Sequence, residues 1–419
     1  MRLSALSCLA AALLCAGAVR ADDAPAAPKL LEWHFIYYMA YDNNLEKCGP
    51  KILEMLGEGV TSDDVVVTCL SDYTDLEGLK RHVFTRGGHD VQKVEGEGIA
   101  EEETLRDHLA WASTAHPARH YAIVFLDHGG RLGQMSNDAH PGREGGQDWL
   151  EVVETGQTIA TWRRALPAAQ KVDLCFLQQC GKGTLENYHA FKDAAEFLMG
   201  SQYSVGAPNY YYTKAIQAVC EKPGVDGAEV ARLMRENDPP NMFATYTTIR
   251  SSALQDLTKR LEPVLAPLVA KEKVDLARGV KPCFDMAPDE AMFDGFALLD
   301  GLYTANELDK APLEAFTAWC RESLIVGHRI STKRPDANGT CGFSLFLPLG
   351  PQALTRYAHY PLWKDTALHG VLEKIYRGLL ERQKAARERA QRERADKKDG
   401  ARPDAPKPDA PKPDAPDGK

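Results

Sequence analysis

Four short runs of the chain are apolar almost throughout: Trp33–Met39, Val65–Leu70, Tyr121–Leu126 and Val172–Leu177. They are too short for most helices and rich in β-branched and aromatic residues. Continuous rather than alternating apolar character means that both faces are covered, as in a parallel sheet between helices. Helical spacing of apolar positions falls between them, over Asn44–Leu56, Glu102–Ser113, Thr158–Leu166 and Thr184–Leu198. Strand and helix in alternation predict an α/β/α sandwich with a mostly parallel central sheet and right-handed crossovers. Lys80–Thr85 predicts a short hairpin strand. The second half is less regular: strands are expected over Phe243–Ile249 and Cys341–Leu347, and helices over Leu254–Ala270, Pro312–Ile325 and Tyr360–Glu381. With no break in composition between the halves, one large α/β unit with a C-terminal elaboration is expected.

The 419 residues carry a net charge of −9 and 44% apolar residues. That share excludes a fully disordered chain. The acidic balance gives no global case for nucleic-acid binding. The charge is unevenly divided: +2 over residues 1–21, +3 over 384–419, and therefore −14 over 22–383. The first 21 residues read as a secretory signal, with Arg2, an uncharged Ala/Leu-rich stretch to Val19, and small residues at Val19 and Ala21. A lipid anchor at Cys15 is disfavoured by the bulky Leu14. The expected layout is a signal over 1–21, a linker over 22–32, the folded unit over 33–383 and a charged, Pro-rich, disordered tail over 384–419. Within that tail, Lys384–Lys398 reads as a solvated helix continuing the preceding element, and a repeated Ala-Pro-Lys-Pro-Asp unit follows. The expected location is outside the cytoplasm: periplasm, cell surface or secreted, with no transmembrane span in the mature chain.

Chemistry gathers at two strand ends. Tyr121–Leu126 runs into Asp127-His128-Gly129-Gly130, and Val172–Leu177 into Gln178-Gln179-Cys180-Gly181-Lys182-Gly183. In open α/β sheets ligands sit at the carboxyl ends of strands. If these strands are neighbours, His128 and Cys180 can meet. A thiolate attacks a carbonyl carbon, and an imidazole takes the thiol proton and returns it to the leaving amine. The oxyanion needs backbone N–H donors, for which Gly129 and Cys180 are the candidates. A helix starting at Cys180 would add its positive end. Either residue alone reads more simply, His128 as a surface residue and Cys180 as core or half of a disulfide; together they form a dyad. Eight cysteines remain after Cys8 and Cys15 leave with the signal. None forms a CxxC pair, so no cysteine-built zinc site is expected.

In these residues the chain resembles the clan of cysteine peptidases that holds caspases, legumains, gingipains and clostripain, and its nearest match is the clostripain family. Trp33–Met39 followed by Asp42-Asn43-Asn44-Leu45-Glu46 is similar to that family's opening strand and signature. Phe197–Gln202, Thr247-Thr248-Ile249 and Gly342–Pro348 resemble later family strands in order. The resemblance spans about 33–380 and implies a caspase-like fold with a Cys180–His128 dyad. It further implies Gly129 and Cys180 amides as the oxyanion hole. Substrate contacts are expected from Gln178, Ser201, Tyr210 and Tyr212. The family cuts after Arg or Lys because carboxylates line its specificity pocket. Here the expected acids are missing at 178 and 208, and Asp148 or Asp300 is the candidate replacement. The loop Arg131–Thr158 matches a region where relatives cleave themselves, with Arg143 as the candidate site.

The expected function is an exported cysteine endopeptidase acting on protein or peptide substrates as a monomer. The alternative is a catalytically silent relative that binds peptides or surface polymers. No cofactor or metal is required by this chemistry, and calcium dependence is not legible in the sequence.

Overall fold

The structure is a computed structural model describing residues 29–399 apart from 75–77, 96–97, 141–145 and 278. The expected signal and Pro-rich repeat lie outside the described residues.

Fourteen strands are present among them: β1 (Leu31–Tyr41), β2 (Val65–Tyr73), β3 (Lys80–Thr85), β4 (Gly88–Lys93), β5 (Ala118–Leu126), β6 (Gln134–Asp138), β7 (Asp148–Glu151), β8 (Lys171–Gln178), β9 (Phe197–Gly200), β10 (Thr245–Arg250), β11 (Pro282–Ala287), β12 (Glu290–Asp294), β13 (Ile325–Ile330) and β14 (Ser344–Pro348). Nine form one sheet in the order β13-β10-β9-β8-β5-β1-β2-β3-β4. Its centre, β9-β8-β5-β1-β2, is parallel, and both rims are antiparallel.

The apolar runs became the parallel strands because each strand serves two cores. In β1, Ile36, Tyr38 and Ala40 pack on one face and Phe35, Tyr37 and Met39 on the other; β5 divides its residues the same way. The first core is closed by the helices Glu102–Ala115, Val152–Ala165 and Leu257–Val269 together with the C-terminal region. The second is closed by Gly49–Gly59, Tyr212–Glu221 and Gly227–Asn237. This is the expected α/β/α sandwich.

Several elements differ from expectation; among them, the single helix expected over Tyr360–Glu381 is broken at Thr366 into Pro361–Asp365 and Leu368–Asp399. The helix read over Thr184–Leu198 stops at Ala190, and Phe197–Gly200 is β9, hydrogen-bonded between β8 and β10. A short apolar run fits either state, and tertiary pairing decides it. Cys341–Leu347 was expected as one more core strand, and Ser344–Pro348 is one, with Leu345, Phe346 and Leu347 buried in the first core, though it pairs in a separate sheet, β11-β12-β14. The last helix, Leu368–Asp399, carries the Lys384–Lys398 stretch, exposed to solvent over 384–394. Among the described residues, no helix is long and apolar enough to cross a membrane.

Candidate active site

β5 and β8 are parallel neighbours with Leu126 opposite Gln178, so His128 and Cys180 each lie two residues beyond matched positions. Their loops touch. A Cβ placed on Gly129 would fall within 3.1 and 3.2 Å of the Cys180 carbonyl carbon and nitrogen, and closer still to its carbonyl oxygen. Only glycine fits there. Gly181 turns the chain away with φ at +67°. The helix expected to start at Cys180 begins only at Leu185, capped by the Thr184 hydroxyl, so no helix end lies directly under the thiol.

Cys180 is half-buried and carries a free thiol; the other seven cysteines among the described residues are also free. Its Sγ accepts from the Val205 N–H at 3.3 Å. Burial pushes its pKa up, against the Val205 backbone and the Lys182 charge, which pull it down. Burial pushes His128 down. Both shifts favour a neutral thiol beside a neutral imidazole in the resting site. His128 Nε2 lies 2.7 Å from Asn44 Oδ1. An amide oxygen only accepts, so Nε2 carries the proton and Nδ1 is left as the base. Asn44, part of the Asp42–Glu46 motif but given no role there, is thus a candidate partner of His128. It lies three residues past the end of β1, the strand next to β5, and the turn is held at its neighbour: Asn43 Nδ2 donates to the buried Asp127 carboxylate at 2.9 Å and to the Asn137 carbonyl at 3.0 Å.

The expected substrate contacts separate. Gln178 is buried, and its Nε2 donates to Asn209 Oδ1 at 2.5 Å and to the Tyr212 hydroxyl at 2.9 Å, while Tyr211 donates to its Oε1. Asn209 Nδ2 in turn donates to Asp238 at 2.6 Å, which also accepts from the Tyr246 hydroxyl and the Tyr210 N–H. Thus the residue facing Gln178 is Asn209, not position 208. Burial holds Asp238 above the ordinary carboxylate range in spite of its three donors. Tyr210 itself is exposed. Ser201 is fully buried and bonds to Thr245 and the Tyr203 N–H, away from this network. Asp148 caps its own turn at the Trp149 N–H, and Asp300 pairs with Lys310 on a distant helix. Neither joins Gln178. Arg143 lies outside the described residues. Asn209, Tyr211 and Asp238 were not read from the sequence; nothing in their spacing marks them.

Among the described residues, one set of carboxylates could hold a metal. Asp42, Asp72 and Asp138, all buried, bring carboxylate oxygens within 4.8 Å of one another. Burial first, and then Asp42, raise the Asp138 carboxyl.

A thiol and an imidazole thus lie just past the ends of adjacent parallel strands of an α/β sheet, the two groups that a cysteine hydrolase needs. The profile of the clostripain family matches residues 37–308, and the chain belongs to that family and is a cysteine-type peptidase. Among solved structures, the inactive zymogen of a C11 protease from Parabacteroides distasonis superposes with a TM-score of 0.59 at 16% identity, covering 81% of this chain and 99% of that one. A secreted C11 cysteine protease from Bacteroides thetaiotaomicron, in complex with an irreversible peptide inhibitor, gives 0.60 at 13% identity, with 80% and 99% covered. These likenesses speak for the fold. No curated protein matches the chain.

Proposed function

We propose that the chain is an exported cysteine endopeptidase that hydrolyses peptide bonds after uncharged residues, using Cys180 and His128. The observation that carries this is the contact of the two strand-end loops, with Gly129 seated against Cys180 and the His128 tautomer set by Asn44. The thiol proton passes to His128 Nδ1 as Sγ attacks the carbonyl carbon. The oxyanion is held by the Gly129 and Cys180 amides. The imidazolium gives its proton to the leaving amine, and a thioester remains. Water, deprotonated by His128, then hydrolyses it. No step needs a cofactor. Peptide substrates are supported by the inhibitor complex of the Bacteroides relative, and export by that relative's description as secreted together with the leader-like first 21 residues.

The preference for an uncharged residue rests on the pair Gln178 and Asn209. An amide stands at 178, where the resemblance implies a carboxylate, its partner Asn209 is a second amide, and the Asp238 carboxylate behind them is already satisfied. A buried, saturated network offers no counter-charge to a guanidinium or ammonium.

Profiling residues 22–419 against a mixed peptide library beside Cys180→Ala tests the proposal. Wild type should cleave after neutral residues and be alkylated at Cys180 by a peptidyl electrophile, and the variant should do neither. Cleavage by the variant would overturn the dyad. A wild type that is neither cleaving nor labelled would favour the silent binder.

A further inference from the structure

Lys182 is two residues past the nucleophile and fully buried. A buried amine costs stability unless its donors are used. Its Nζ donates to the backbone carbonyls of Arg131 at 2.6 Å and Leu132 at 3.2 Å. Those carbonyls belong to the loop that leaves His128. The two loops that carry the dyad are therefore tied by one side chain, close to the point where Gly129 meets Cys180.

The same loop is gripped from its other side by the C-terminal elaboration. Arg131 pairs with the buried Glu290 at 2.6 Å and with Asp289 at 3.1 Å. Glu290 also takes Arg356 and the Tyr357 hydroxyl, and the Tyr360 hydroxyl donates to the Leu132 carbonyl at 3.1 Å. The Cys180 loop is itself anchored: Gly181 and Gly183 donate to the Tyr203 and Ser201 carbonyls, and the Gly183 carbonyl accepts from Ser344. With each loop fixed to its own support, the distance between them is bridged by the Lys182 side chain, beside a second tie from Gln179 Nε2, which donates to Ser136 Oγ at 3.1 Å.

We propose that Lys182 is a positioning residue of the peptidase reaction, its ammonium clamping the His128 loop to the Cys180 loop. This rests on the peptidase reading above. The charge has a second effect, since it favours the Cys180 thiolate that burial disfavours.

The clamp is sensitive to pH. Burial brings the Lys182 amine down to about 7, while the charges of Glu290, Cys180 and Glu151 hold it up. The other charged or titratable groups around it are Asp289, Arg131, Arg356, Tyr357 and Tyr360, already engaged as described. Below about 7 the group is an ammonium with charge-assisted bonds, which are about twice as strong as neutral ones. Above it, the tie weakens. The rate should therefore fall severalfold on the alkaline side of 7.

The test uses the full-length mature chain and a peptide chosen by profiling. Initial rates from pH 5.5 to 9 give kcat and KM for wild type, Lys182→Met and Lys182→Gln, with melting temperatures measured in parallel. Lys182→Met should lower kcat by about tenfold to a hundredfold with KM little changed, because small misplacements of reacting groups cost that much. Lys182→Gln keeps amide donors without the charge and should recover part of kcat. Neither variant should retain the alkaline fall. Unchanged kcat, or an alkaline fall that survives in both variants, overturns the proposal. So does a wild-type profile that is flat from 7 to 9, which needs no variant to fold. A wild type that cleaves nothing overturns the peptidase reading instead, and this one with it.

Discussion

Gly129 sits where any side chain would collide with the nucleophile's own backbone, and Gly129→Ala measures what that contact is worth. The new Cβ would meet the Cys180 carbonyl carbon at 3.1 Å and its nitrogen at 3.2 Å, with the oxygen nearer still. Real Cβ atoms essentially never come within 3.0 Å of such neighbours. The obstacle is backbone, so it cannot swing aside as a flexible side chain would. One loop must move by about 1 Å, and overpacking of this kind costs about 1–3 kcal/mol of stability. The chemistry is hit harder than the fold. A shift of about 1 Å between attacking and proton-accepting groups lowers rates about a hundredfold, or about 2.7 kcal/mol in the barrier. Steady-state cleavage of a profiled peptide, with thermal unfolding alongside, separates the two effects. The expected outcome is a large loss of kcat with a melting temperature lowered by only a few degrees. Gly224→Ala is the control, since nothing lies within 4 Å of its would-be Cβ, and it should leave both values unchanged. If Gly129→Ala keeps kcat within about threefold of wild type while folded, the loops do not meet at the reacting centre and the site has been placed wrongly.

Two further outcomes follow from the same geometry. Burial lowers the His128 pKa, so its neutral, proton-accepting form persists to more acid pH than a free imidazole allows; the acid limb of kcat/KM should lie below 6.5, and Asn44→Asp, which sets a carboxylate 2.7 Å away in place of the amide oxygen, should move it upward. Gln178→Asp should raise kcat/KM for peptides with Arg before the scissile bond by about tenfold relative to wild type, because it restores a carboxylate at a position where the family resemblance implies one; profiling that keeps its neutral preference would remove Gln178 from the specificity site.

How far the sequence carried depended on whether the signal was local. The parallel core was legible because each of its longer strands packs against two layers and is written as an unbroken apolar run, as in Trp33–Met39 and Tyr121–Leu126. His128 and Cys180 stood out as candidates because each follows such a run and is itself followed by glycine, and the structure brings their two loops into contact. β9 was legible in the family resemblance but not in the apolar spacing, which ran it into a helix, since Phe197–Gly200 is four residues long and its state is set by β8 and β10 on either side. The partners of the site were invisible for the same reason. Asn44 reaches His128 across 84 positions, Asn209 reaches Gln178 across 31, and Lys182 reaches the Arg131 carbonyl across 51. None of these pairs has a period or a spacing rule, because the crossovers that bring them together can be of any length. What the sequence did hold at Lys182 was an anomaly: a charged residue among the glycines at the end of a core strand, where burial is costly. Such a residue survives only with buried acceptors, and here those acceptors are carbonyls of the other catalytic loop. A lysine placed there for solubility would point outward, so its burial is itself the reason to connect it with the spacing of the dyad.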